Sequence, residues 1–76
     1  MAQTPTEQSV ADRFRDVPWV IRVEETDRDG CTHRLITEQS VIRYEYEIHT
    51  IENLGVRVQA ISQNGHYGCH VYVTTV

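Results

Sequence analysis

Between Ser40 and Ile51 the chain alternates almost without a break. Ile42, Tyr44, Tyr46 and Ile48 fall on one side of an extended segment, and Arg43, Glu45, Glu47 and His49 on the other. That pattern predicts the longest strand of the protein and the central support of a sheet. The same period of two runs through most of the sequence after Trp19. PWVIRVEET reads as a first strand, DRDG as its turn with Gly30 free to take positive φ, and CTHRLIT as a shorter second strand. ENLG turns the chain into VRVQAIS, a fourth strand. QNG, with its Asn64-Gly65 pair, turns it into HYGCHVYVTTV, a fifth.

Helical spacing is confined to the beginning. Thr4 can cap, Pro5 suits the first helical position, and Glu7 stands three residues after the cap. Val10, Phe14 and Val17, with Ala11 alongside, make one narrow apolar stripe, and Pro18 ends it. A helix over about residues 5–16 is expected, with residues 1–3 frayed. The fold class that follows is α+β, a single domain over 1–76. One N-terminal helix packs on a four- to five-stranded antiparallel meander occupying residues 18–76.

Phasing assigns Ile21, Val23, Leu35, Ile42, Tyr44, Tyr46, Ile48, Val56, Val58, Ala60, Tyr67, Cys69, Val71 and Val73 to the core face. A helix of about 12 residues is ~18 Å long and ~10 Å across, whereas five strands span about 20 Å. One helix leaves part of that face bare, so the sheet must curl or meet another chain. The last strand, CHVYVTTV, carries no charge and no proline. As a sheet edge it would be unprotected, which marks Cys69, Val71, Val73 and Val76 as a candidate interface for a partner or a second copy.

The opposite face collects Arg22, Glu24, Thr32, Arg34, Arg43, Glu45, Glu47, His49, Arg57, Gln59, His66, His70, Tyr72 and Thr74. Arg22, Arg34, Arg43 and Arg57 stand one to a strand, and with His70 and Tyr72 they form the candidate binding set. Arg offers a fork that matches carboxylate and phosphate, and Tyr and His add stacking and donors. The bland alternative is a solvated face whose Arg and Glu pair at about 0.2–1 kcal/mol each. Glu24, Glu45 and Glu47 interrupt the arginines and argue against an extended nucleic-acid track. A small anion or a mixed-charge protein surface fits better.

Composition narrows the classes further. A chain of 76 residues buries only about 60–65% of its unfolded surface, so such domains often gain stability from a partner. The net charge is −4, and all seven basic residues are Arg, a poor match to DNA or anionic membrane. The beginning of the chain has no secretory pattern and no apolar run approaches the ~20 residues of a membrane span. A cytoplasmic setting with reduced thiols is expected, the host cytoplasm if the protein is phage-encoded.

Motifs for chemistry fail on inspection. ETDRDG resembles the start of a calcium loop, but Ile36 occupies the position where a chelating Glu belongs. Cys31, His33, His66, Cys69 and His70 are soft ligands in the wrong places; His66 and His70 would lie about 13 Å apart on a strand. Nothing sets a third group beside a Cys-His couple, and Glu45 and Glu47, about 7 Å apart on one face, are ordinary for a strand. No catalytic residue, metal or cofactor is assigned. The expected function is a small non-enzymatic protein acting stoichiometrically on a protein partner, as an inhibitor or adaptor. Phage proteins directed against host defences, such as anti-CRISPR inhibitors, share its size and charge. The alternative is a homo-oligomeric sequesterer of a small anion such as a nucleotide, held by the four arginines.

Overall fold

The structure, a computed structural model, describes residues 9–63 and 68–75. Four strands, β1 (Val20–Glu25), β2 (His33–Thr37), β3 (Val56–Gln63) and β4 (Cys69–Thr75), form one antiparallel sheet. Helical segments pack on one of its faces, so the α+β class holds. The meander does not. The strand order is β1-β2-β4-β3, with β4 inserted between β2 and β3, which therefore run parallel without touching. Parallel strands need a crossover and cannot share a tight hairpin, and residues 38–55 supply it.

That crossover is where the alternating segment goes, and the expected central strand is absent. Tyr44–Ile48 form a π-helical turn that runs directly into α2 (His49–Glu52). (The N-terminal α1 is Val10–Arg13.) Two side chains decide the outcome. Ile51 and Glu47 are fully buried, four residues apart on one helical face. Tyr44 and Tyr46, assigned to the core by a strand phase, are 76% and 50% exposed. Gly55, at φ 90, follows the helix as its left-handed stop. Arg13 Nη1 donates to the Leu54 and Gly55 carbonyls at 3.3 and 3.4 Å, closing the end of α2 against the N-terminal segment.

At the N-terminal end, Ser9 caps α1, its hydroxyl accepting from the Asp12 amide at 3.2 Å. The expected cap at Thr4, with Pro5 and the frayed residues 1–3, lies outside the described residues, as do the Asn64-Gly65 turn and Val76. The helix ends at Arg13 rather than 16. Two successive turns, Val17 N–H to the Phe14 carbonyl and Val20 N–H to the Val17 carbonyl, bring both Phe14 and Trp19 inward.

Val10, Phe14, Trp19, Leu35, Ile51, Val56, Val71 and Val73 make the core. The apolar face that one thin helix could not cover is thus covered by two segments, one of them recruited from the expected strand. β4 is the most apolar strand and the sheet gives it ladders on both sides. Cys69, Val71 and Val73 are consequently buried at 3%, 0% and 0% exposure; they are core, and not an edge interface. The edges are β1 and β3. Each has a register shift, between Val20 and Arg22 and between Val58 and Ala60, and such bulges hinder edge-to-edge pairing. The shifts also correct the phase: Val20 replaces Ile21 on the core side, and Ala60 moves to the open face opposite Tyr72.

Candidate functional site

Because both helical segments lie against the Leu35 and Val71 side, the other side of the sheet is open among the described residues. The ladders order it into rows. Glu24, Arg34, Tyr72 and Ala60 are successive partners across all four strands, and Arg22, Ile36, His70 and Ser62 form the next row. Arg57, opposite Thr74, extends the face along β3 and β4. Of the expected binding residues, Arg22, Arg34, Arg57, His70 and Tyr72 do share this surface.

One carboxylate organises its centre. Arg22 Nη2 reaches Glu24 Oε2 at 2.6 Å, while Arg34 donates to Glu24 Oε1 through Nε at 3.1 Å and through Nη2. The Arg34 hydrogen bond, helped by the charge of Arg22, holds the Glu24 carboxyl below its ordinary range. Glu24 in turn, and then the Tyr72 hydroxyl, strengthen the hold of Arg34 on its proton. Arg28, on the β1–β2 turn, folds back so that its guanidinium carbon stands 4.3 Å from the Tyr72 ring centroid, within cation–π range. Arg28 was not among the expected residues. Its position in a turn hid it, and only the ladder that sets Tyr72 beside Arg34 reveals it.

Arg43 leaves this face altogether. It begins the π-helical turn, where its backbone N–H donates to Glu47 Oε1 at 2.9 Å and its Nε to the same oxygen at 3.1 Å. Nη2 of Arg43 and Nε2 of Gln39 reach Oε2 at 3.2 and 2.8 Å. So engaged, first by Arg43 and then by Gln39, Glu47 has its pKa pushed down to about 2. An open cleft of about 440 Å³ borders this group, lined by Glu38, Gln39, Ser40, Val41, Arg43 and Glu47. Both oxygens of Glu47 are already satisfied, and the nearby Cys69 thiol donates to the Ser40 carbonyl at 3.5 Å. Burial, followed by the Glu47 charge, raises that thiol's pKa, which disfavours the thiolate a nucleophile needs. Within this cleft the Gln39, Arg43 and Glu47 side chains are engaged with one another.

Among the described residues no group of three or more His, Cys, Asp or Glu side chains could hold a metal ion, and no helix is long and apolar enough to cross a membrane. The sequence matches no protein-family model, and neither the sequence nor the fold finds a match among curated proteins or solved structures.

Proposed function

We propose that this is a small non-enzymatic binding protein that acts stoichiometrically on a protein partner, as an inhibitor or adaptor, and engages it through the open face of the sheet. The observation that carries this reading is the group Arg22–Glu24–Arg34–Tyr72–Arg28, whose long side chains are tied to one another at the centre of a sheet face that no other described element covers. Tyr and Arg dominate the energetics of protein interfaces. Side chains ordered before contact lose less entropy on binding. A flat sheet face suits a protein surface better than a small ligand, which favours a concave, mostly enclosed site.

The anion-sequestering alternative has lost support. Its fourth arginine, Arg43, is bound to Glu47 away from the face, and the three that remain lie on an open surface. The crossover segment covers much of the apolar face on which self-association was expected, and Ile21 and Ile61 of the edge strands stay exposed.

Affinity capture from the source cells, followed by light scattering of the purified complex, tests the proposal. A 1:1 complex is expected whose affinity falls at least about tenfold on Tyr72→Ala or Arg28→Ala and is unmoved by Glu45→Ala outside the face. Equal affinity in all these variants would remove the open face from the function.

A further inference from the structure

The structure assigns a chemistry to the partner: we infer that the open face docks an acidic patch of a protein, a compact group of Asp and Glu carboxylates. The inference rests on the open-face reading above and adds the identity of what is bound. Its basis is how charge is divided. The chain as a whole is acidic, at −4, yet the open face gathers Arg22, Arg28, Arg34 and Arg57 against Glu24 and, on the turn that carries Arg28, Asp27 and Asp29. Elsewhere among the described residues three arginines stand against seven carboxylates. This is a basic platform on an acidic body.

The arrangement fits carboxylates in particular. Arg22, Arg34 and Arg57 stand on β1, β2 and β3, and Arg28 lies over Tyr72 of β4. Three strands therefore contribute one guanidinium each, set diagonally over successive rows of the ladder, and Arg28 reaches over the fourth from the β1–β2 turn. Glu24 displays the recognition internally: one carboxylate lies between two guanidinium groups, with Arg34 approaching through two nitrogens and Arg22 through one. Arg22 and Arg57 are exposed, and Arg57 has no ion-pair partner among the described residues. Arg forks bind carboxylates in this way, at about twice the strength of neutral hydrogen bonds.

A polynucleotide would also be drawn to guanidinium groups, and two of the glutamates expected to repel it, Glu45 and Glu47, are not on this face. What disfavours it is the limited extent of the basic face. Beyond the sheet a continuing phosphate chain would run along the acidic remainder of the molecule. A folded acidic patch can end where the basic face ends.

The test titrates the isotopically labelled full chain with an oligoglutamate peptide and, separately, with an oligothymidylate of the same charge. The peptide is expected to shift the amides around Glu24, Arg34, Arg57 and Tyr72, with affinity that weakens as salt rises. The double variant Arg22→Gln/Arg57→Gln, whose fold is checked by circular dichroism, should bind at least about tenfold more weakly. No shift at low salt, or tighter binding of the oligothymidylate, overturns the inference. The partner captured in the preceding experiment separates the two readings. If it is lost on Tyr72→Ala but unaffected by Arg22→Gln/Arg57→Gln, the open face stands and the acidic chemistry falls. If no variant affects it, both fall.

Discussion

Among the described residues Glu47 is the buried carboxylate, and Arg43, four residues earlier, satisfies it from both backbone and side chain, at 2.9 Å and 3.1 Å. That relationship exists only if the segment is helical, because on a strand residues four apart are about 13 Å distant. The pair converts a stretch with strand-like alternation into the helical crossover that covers the sheet. It also removes Arg43 from the arginines of the open face.

Replacing Glu47 by Gln should destabilise the protein by about 1–3 kcal/mol, the cost of weakening charge-assisted hydrogen bonds in a buried site. Urea denaturation measures this. Hydrogen exchange should localise the loss to residues 43–52; a variant as stable as the parent would contradict the assigned role.

Acid should act through the same group. The pKa of Glu47 is depressed in the folded chain, to about 2 from an ordinary 4.5, so the folded state favours the charged carboxylate. Its contribution is fully present above about 4.5 and is lost as pH falls from there toward 2. The melting temperature is expected to fall over that window, and less steeply in Glu47→Gln. Glu24, whose pKa is also lowered, keeps part of the slope in the variant.

Ile51→Ala and Tyr44→Ser separate the helical arrangement from the strand that alternation suggests. Ile51 is wholly buried, so its truncation should cost about 2–5 kcal/mol. Tyr44 is 76% exposed and its replacement should stay within about 0.5 kcal/mol. A core strand would reverse the order, and thermal denaturation of the two variants decides it.

Among the described glycines, Gly68→Ala should be the most damaging substitution. At φ 133 the position is strained for any side chain, and an added Cβ would collide with the Thr37 carbonyl of the neighbouring strand. At Gly55, φ 90, the nearest atom is the movable Arg13 Nη1 at 2.9 Å. That variant should cost about 1 kcal/mol, and Gly68→Ala more. Equal effects at the two positions would count against the close approach of β4 to the end of β2.

The thiols should differ. Cys31 is half-buried and Cys69 buried, with burial raising the Cys69 pKa. A thiol-reactive reagent at neutral pH is expected to label Cys31 rapidly and Cys69 only as the protein unfolds. Comparable native rates would argue against the placement of β4 inside the sheet.

What the sequence conveyed best was strand content and facing in the segments whose alternation had no competitor. Val23, Leu35, Val71 and Val73 are on the core side as their period of two requires, and Arg22, Arg34, Arg57, His70 and Tyr72 share the other side. Local phase survives because a strand keeps it wherever the strand is placed, except across bulges, where Ile21 and Ala60 depart from it. Signals for the second helix were present in the spacing of Ile48, Ile51 and Leu54, in the Arg43–Glu47 interval, and in Gly55 as a helix stop. The louder alternation of residues 42–49 overrode them, since a period of two and a period near three and a half coincide over short runs.

By itself, then, the sequence determined which residues are apolar, which segments can be strands, and that the basic residues are all forks and the whole is acidic. Tertiary structure alone decided that β4 lies inside, that residues 43–52 leave the sheet, and that Arg28 joins the open face. The reason is physical. Alternation specifies only the sidedness of a segment, whereas strand order and helix placement depend on which arrangement best covers the common apolar face. In this chain that requires Ile51 beneath the sheet, with Glu47 beside it held by Arg43 and Gln39.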